Sequence, residues 1–291
     1  MREAYREGRI SLSFELFPPK SETSEQELFR HLQDLMSFEP EFVTCTYGAG
    51  GSTRTKTLDV VAGVRQRYGC AVASHLTCVG STVDELLAYL AEATSRGVEN
   101  IVALRGDPPK GETTFRAVEG GLRYANELVT LVRREFPALG VAVAGYPETH
   151  QEAPSAEADL ANLKRKVDAG ADVVITQLFY DNDDFFRFRD RARAAGIEVP
   201  IVPGVLPVTN VAQIKRITSL CGARLPRQFL ADLEANENSA EAQFDLGVDF
   251  ATRQVQQLID GEVPGIHFYV LNKSPATCRV LSAVTRPGAA G

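Results

Sequence analysis

The sequence predicts a single (β/α)8 TIM barrel over residues 1–291, with extra helices before the last strand, and three observations carry that prediction. Eight short apolar runs recur along the chain, separated by stretches with helical spacing. Their continuous hydrophobicity fits parallel strands covered on both faces. The length of 291 residues suits one large barrel, for which about 250 residues is typical. No linker-like change of composition divides the chain. An ordered core is expected over about 11–283, with a short N-terminal extension and a frayed tail from Thr285 to Gly291.

The first strand is expected at 11–17 (SLSFELF), where Pro18 and Pro19 end it because proline cannot continue a ladder. The second and third fall at 42–47 (FVTCTY) and 71–79 (AVASHLTCV). Residues 83–90 (VDELLAYL) space their apolar positions as a helix does and lead to the fourth strand at 100–106 (NIVALRG). The fifth strand, 141–146 (VAVAGY), precedes a helix at about 156–169, on which Asp159, Asn162 and Lys166 share one polar face. Strands six and seven are expected at 173–179 (VVITQLF) and 200–206 (PIVPGVL). Extra helices fit at about 226–234 and 240–260, before the eighth strand at 266–271 (IHFYVL).

A formal net charge of −7 argues against nucleic acid or an anionic membrane as the main partner. No apolar run approaches the roughly 18 residues of a membrane span, and no signal peptide is visible. The five cysteines are scattered, odd in number and without CxxC spacing. A reducing, cytoplasmic setting with neither disulfides nor a zinc site follows as the expectation.

Barrel enzymes build their active sites at the C-terminal ends of the strands. Those ends carry Glu15, Thr46 and Tyr47, His75, Arg105-Gly106-Asp107, Tyr146 with His150, Gln177, and Asn272-Lys273. A carboxylate at position 15 is out of place in an apolar strand, and desolvation there favours its protonated form, as a general acid requires. Pairing with Lys20 or capping of a loop amide is the plainer alternative. Arg105 presents a planar fork suited to phosphate or a flavin edge, although it could simply pair with Asp107. The segment 48–52 (GAGGS) resembles a dinucleotide fingerprint, but Thr53 stands where its third glycine would fall, and the reading is rejected. His75 could be a satisfied core histidine, while His150 lies in a loop. No metal-ligand spacing surrounds either, so no metal is expected. Lys273 could in principle form a Schiff base, hold a ligand carboxylate, or lie in solvent.

Taken together, 13–20 (SFELFPPK), 46–48 (TYG), 74–77 (SHLT), 104–109 (LRGDPP), 146–148 (YPE), 175–179 (ITQLF), 202–204 (VPG) and 267–272 (HFYVLN) resemble the methylenetetrahydrofolate reductase family. The resemblance runs in order from about residue 11 to 283. It implies reduction of 5,10-methylenetetrahydrofolate to 5-methyltetrahydrofolate, supplying methyl groups for methionine synthesis. Hydride would pass from NADH (or NADPH) through FAD in a ping-pong sequence. It implies that Thr46, His75, Arg105, Gly106, Asp107, Tyr124, Ala144, Tyr146, His150, Asp159, Asn162 and Lys166 line the FAD. Glu15 would be the general acid and touch the folate, Asp107 would contact the pterin and influence the flavin, and Gln177, Gln213 and Lys273 would contact the folate. A homo-oligomer is implied, with a small-molecule folate as partner and no control by S-adenosylmethionine.

Two positions depart from the family pattern. Lys273 stands where some members carry arginine, so a glutamate tail would meet a point charge and not a bidentate fork. Ile217 stands where some carry a stacking phenylalanine. A Schiff-base lyase using Lys273 and a non-catalytic barrel subunit are the competing readings. A colourless protein with a trappable lysine adduct would mark the first, and a barrel that partners a paralogue and never holds FAD the second.

Overall fold

Eight parallel strands close on themselves in chain order, each hydrogen-bonded to the next and β8 back to β1. The computed structural model describes residues 1–5, 9–47, 54–108, 111 and 115–286. Strand and helix alternate as β1 (Ser11–Leu16), α1 (Glu22–Met36), β2 (Phe42–Cys45), α2 (Arg54–Tyr68), β3 (Ala71–Thr77), α3 (Val83–Ser95), β4 (Asn100–Leu104) and α4 (Ala125–Glu135). The second half continues with β5 (Gly140–Gly145), α5 (Ala156–Asp168), β6 (Val173–Leu178), α6 (Asn182–Ala194), β7 (Ile201–Val205), α7 (Val211–Cys221), α8 (Arg227–Ala235), α9 (Ala240–Asp260), β8 (Gly265–Tyr269) and α10 (Pro275–Ala283). This is the expected (β/α)8 barrel. Between β7 and β8 stand α7, the helix that the eightfold alternation requires after β7, and the two extra helices expected there, α8 and α9.

Every strand stops one or two residues before its predicted end. The apolar runs overshoot because burial continues after the ladder stops: Val79, Phe179 and Leu206 are all buried beyond their strands. As a result Thr46, Arg105, Gly106 and Tyr146 sit on the first loop positions, where a side chain can be aimed at a ligand.

Side-chain alternation divides the core in two. One parity points outward, and Phe14, Val43, Leu76, Ile101, Val143 and Phe268 join the layer under the helices. Fully burying a side chain such as Phe14 or Phe268 contributes roughly 1.5–3 kcal/mol. The other parity points into the barrel. Phe42, Ala73, Val102, Ala142, Val173, Ile175 and Val202 fill it as an apolar plug, closed from below by Met1 and Tyr5. In β1, β2, β3 and β8 the inward parity also supplies Ser13, Glu15, Thr44, His75 and His267, all buried. The strands thus carry an apolar floor and, on one side, a polar layer.

The glutamine-rich helix α9 is held close to the barrel through a glycine. A Cβ at Gly247 would lie 1.6 Å from the carbonyl oxygen of Val208, so only glycine admits this approach.

Candidate active site

Glu15 lies in the mouth of the barrel and is only 7% exposed. Register explains its neighbours: β1 lies between β2 and β8, with Glu15 opposite Thr44 on one side and Tyr269 on the other. One carboxylate oxygen, Oε2, stands 3.2 Å from His75 Nε2 and 3.5 Å from His267 Nε2. His75 Nε2 is also 3.2 Å from Thr44 Oγ1, and His267 Nδ1 is 2.7 Å from Ser13 Oγ. Lys20 plays no part in this pairing. A row of buried polar groups, Ser13, His267, Glu15, His75 and Thr44, therefore crosses the barrel from β8 to β3.

The protonation expectation for Glu15 is overturned. Burial alone pushes the carboxyl upward, as its apolar flanks suggested. The two imidazoles, by charge and hydrogen bonding, outweigh that push and bring it down to about 2. In this state Glu15 is a carboxylate, so its use as an acid requires a proton brought in with the reaction. The wall beside it is set by Tyr269, whose hydroxyl donates to the Thr176 carbonyl at 2.7 Å and whose ring stands perpendicular to His267 at 5.3 Å.

A second group collects above β4 and β5. Arg105 does not pair with Asp107. Its guanidinium grips Glu152 through both terminal nitrogens, Nη2 donating at 3.0 Å, and lies 5.1 Å from the Phe115 ring. Asp107 is exposed at the rim. Gly106 has φ +88, and a Cβ there would meet Val79 at 2.6 Å and the Thr77 Cβ at 3.1 Å. Thr77 Oγ1, directly below, is buried with no hydrogen-bond partner. Tyr146 and His150 pack edge to face at 4.6 Å. The His150 amide donates to Asp159 at 3.0 Å, and its Nδ1 accepts from the Glu152 amide at 3.1 Å. Thr149, with φ +76, makes the turn that delivers His150 to α5.

The polar face expected on α5 is divided. Lys166 turns inward and donates to the Ala144 carbonyl at 2.6 Å, 6.0 Å from the Tyr146 ring centroid. Desolvation lowers its ammonium to about 8, against a smaller upward pull from Asp159. Asn162 stays exposed and accepts from Arg165. Thr46 and Tyr124 are rim residues, with Tyr124 59% exposed at the start of α4. Thr46 holds its place by accepting from Thr57 Oγ1 through its carbonyl at 2.8 Å.

The third group faces a cleft of 620 Å³ between β7, β8 and the starts of α7, α9 and α10. Gln213, Lys273, Tyr269, Leu206 and Phe244 are among its lining residues, so two of the expected folate contacts, Gln213 and Lys273, line the same cleft. Gln177, half-buried on β6, folds its side chain onto the following amide at 2.9 Å. Ile217 packs partly buried against the cluster of Tyr180, Val211 and Ile214. The glycine-rich segment 48–52 lies outside the described residues, as do Pro109 and residues 287–291 of the tail.

Sequence reasoning assigned no role to His267, Ser13, Tyr269 or Glu152. Inward parity with Glu15 across the β1–β8 pairing was the signal that could have found the first three. Nothing local marks Glu152. All five cysteines are free, and among the described residues no group of His, Cys, Asp and Glu could hold a metal ion. No helix among them is long and apolar enough to cross a membrane.

Comparison with known proteins bears on this site. A family model described as methylenetetrahydrofolate reductase matches residues 1–285. The chain is 41% identical over 285 residues to the 5,10-methylenetetrahydrofolate reductase of Escherichia coli (strain K12), covering 97% of this chain and 93% of that one. It is 36% identical over 291 residues to methylenetetrahydrofolate reductase (NADH) 1 of Arabidopsis thaliana, covering 97% of this chain but 49% of the plant protein. Among solved structures, an uncharacterized protein from Clostridium thermocellum that binds two copies of 5-methyl-5,6,7,8-tetrahydrofolic acid superposes with a TM-score of 0.59. It shares 14% identity over 94% of each chain, a likeness of fold.

Proposed function

Because this chain belongs to the methylenetetrahydrofolate reductase family of oxidoreductases, we propose that it reduces 5,10-methylenetetrahydrofolate to 5-methyltetrahydrofolate through FAD, with NADH (or NADPH) as hydride donor. The product would serve methionine synthesis. The observation that carries the reading is Glu15, a buried carboxylate held between two imidazoles in the barrel mouth.

The residues present suit a flavin dinucleotide. The orphaned Thr77 hydroxyl and the space over Gly106, which a Cβ would fill, form a cradle for a close ligand. Arg105, His150 and Lys166 bring cationic or donor groups to the same side, suited to phosphates and ribityl oxygens. Bound FAD would supply the hydride relay between the nicotinamide and the folate.

Thr46, His75, Arg105, Gly106, Asp107, Tyr124, Ala144, Tyr146, His150, Asp159, Asn162 and Lys166 hold it in this reading. Gln177, Gln213 and Lys273 seat the folate, with Lys273 drawing a glutamate carboxylate as a point charge. Glu15, once protonated, gives its proton as the methylene bridge opens to an iminium that can accept hydride. Asp107 accepts from the pterin edge. The chain acts in the cytoplasm as a homo-oligomer.

Anaerobic visible spectroscopy of the purified chain tests the reading. A flavin band that bleaches with NADH and returns with 5,10-methylenetetrahydrofolate is the expected result. No band after FAD is supplied, or a reduced flavin that the folate leaves unchanged, overturns it.

A further inference from the structure

Glu148 closes the motif 146–148 that follows β5, yet nothing in the proposed chemistry uses it. Its side chain is only 10% exposed and meets Arg224, beyond the end of α7. Arg224 Nε donates to Glu148 Oε1 at 2.8 Å, and the Arg224 amide donates to the same oxygen at 3.1 Å. The guanidinium reaches on to Asp184 of α6, where Nη2 donates to Oδ2 at 3.0 Å. Asp184 is buried as well, and its other oxygen accepts from Arg187 at 2.6 Å. Burial pushes the Glu148 carboxyl up, and Arg224 opposes that push. Exposed ion pairs are worth little, but here only the arginine, 74% exposed, faces solvent.

A second contact runs beside the first. Gln151 Nε2 donates to the Leu220 carbonyl at 3.2 Å. The Gln151 side chain also lies over Gly222, where a Cβ would come within 2.8 Å of it. The loop 147–152 is thus tied twice to the segment 220–224.

Between the two ties stand Thr149 and His150. Thr149 has φ +76, a left-handed conformation that is an outlier for a β-branched residue. Such a residue persists only where its surroundings over-determine it. Pro147, Glu148 and Thr149 line a cleft of 530 Å³, so hydrogen bonds more than packing hold the turn on that side. The Thr149 amide donates to the Tyr146 carbonyl at 3.2 Å, and the His150 amide to Asp159 at 3.0 Å. Glu148 is the anchor before the strained residue, and Asp159 is the anchor after it.

We propose that Glu148 is a positioning residue for cofactor binding: held by Arg224, it keeps Thr149 left-handed and so delivers His150 to the flavin. The inference rests on the proposed function, which sets His150 against FAD. Without the Glu148 anchor, Thr149 relaxes out of the left-handed region, and the binding-competent loop becomes a minor conformation. FAD then binds more weakly in proportion to that lost population. Glycine adopts φ +76 without strain, so glycine at this position makes the anchor largely dispensable. An ion pair that only stabilises the fold would matter equally with threonine or glycine there.

The test is a double-mutant cycle of wild type, Glu148→Ala, Thr149→Gly and the double variant, read by flavin fluorescence as FAD is titrated into the apoproteins. Glu148→Ala leaves Arg224 paired with Asp184, so no buried carboxylate loses its partner. It should weaken FAD binding about tenfold. Thr149→Gly alone should change the affinity by less than about threefold, and adding Glu148→Ala to it should weaken binding by less than about threefold again. Wild-type affinity in Glu148→Ala overturns the inference, and so does an equal loss in both backgrounds. Should Glu148→Ala fail to fold, Arg224→Lys, which keeps the charge without the fork, takes its place in the cycle. There too, an unchanged affinity or an equal loss with and without Thr149→Gly overturns it. A wild type that binds no FAD rejects the proposed function itself, a separate result.

Discussion

Asn272 holds the backbone of Phe17 with both ends of its amide: Oδ1 accepts from the Phe17 N–H at 2.8 Å and Nδ2 donates to the Phe17 carbonyl at 2.9 Å. To do so, Leu271 and Asn272 adopt φ of 48 and 58, a left-handed pair without glycine. The clamp joins the residue two beyond Glu15 to the residue just before Lys273, so it spaces two of the proposed folate contacts.

Asn272→Ala removes both bonds and leaves an alanine in a conformation it disfavours. It should cost about 1–3 kcal/mol and raise the folate KM several-fold, more than it lowers kcat. Asn272→Gly, which relieves the backbone but not the lost bonds, should fall between in stability. Urea titration and steady-state kinetics check both; an unchanged KM in the alanine variant refutes the spacing role.

Glu15→Gln keeps the shape of the acid without a proton to give. Against flavin reduction by NADH in the same sample, the folate step should fall by about 10²- to 10⁴-fold. Folate turnover at the wild-type rate would remove Glu15 from the chemistry.

Glu152 occupies Arg105 with a bidentate contact. If that guanidinium serves the cofactor, the carboxylate competes with the phosphates. An exposed pair of this kind is worth about 0.2–1 kcal/mol, so Glu152→Gln should tighten FAD binding by up to about fivefold. Fluorescence titration of the apoprotein measures it, and weaker binding would make Glu152 a supporting residue instead.

Lys166 should carry a stability cost that depends on pH. Its folded pKa of about 8 lies below the ordinary lysine value. Above pH 8 the folded chain has released a proton that the unfolded chain still holds, so folding becomes more favourable as pH rises toward 10.5. Below pH 8 both states are charged and the desolvation cost is present in full. Lys166→Met should therefore melt higher than wild type at pH 7, by about 2 kcal/mol after allowance for its partial exposure. The gap should close by about pH 10, read by thermal melts of the apoproteins at both pH values.

Gly247→Ala reverses the usual rule for helices. Alanine in a helix interior normally gains about 1 kcal/mol over glycine. Here the added Cβ collides with the Val208 backbone, and a net loss of about 1–3 kcal/mol is expected. A urea midpoint at or above that of wild type would show that α9 moves aside freely.

The barrel was legible because parallel strands buried on both faces leave long apolar runs that need no knowledge of their partners. Glu15 was legible for the opposite reason, as a charge that its own strand could not explain. Its ionisation was not, because that depends on His75 and His267, brought near by closure and not by spacing. His267 sits in an apolar strand where the pattern alone looks like core. The Arg105–Glu152 pair joins two loops 47 positions apart, so the neighbour most obvious in sequence, Asp107, was the wrong partner to weigh. The strand ends were overrun wherever burial outlasts hydrogen bonding, as at Phe179.

Closure between β1 and β8 also has a meaning during synthesis. Glu15 and His267 lie 252 positions apart. While the chain leaves the ribosome, β1 is an open edge whose amides have one partner strand at most, and Glu15 faces water. Long-range pairing of this kind is slow and leaves edges exposed to aggregation. The carboxylate meets its second imidazole only after residue 267 has emerged and docked. A nascent chain stalled before Gly265 is an unsealed sheet that invites chaperone capture, and the chemistry of the mouth is the last thing the polypeptide acquires.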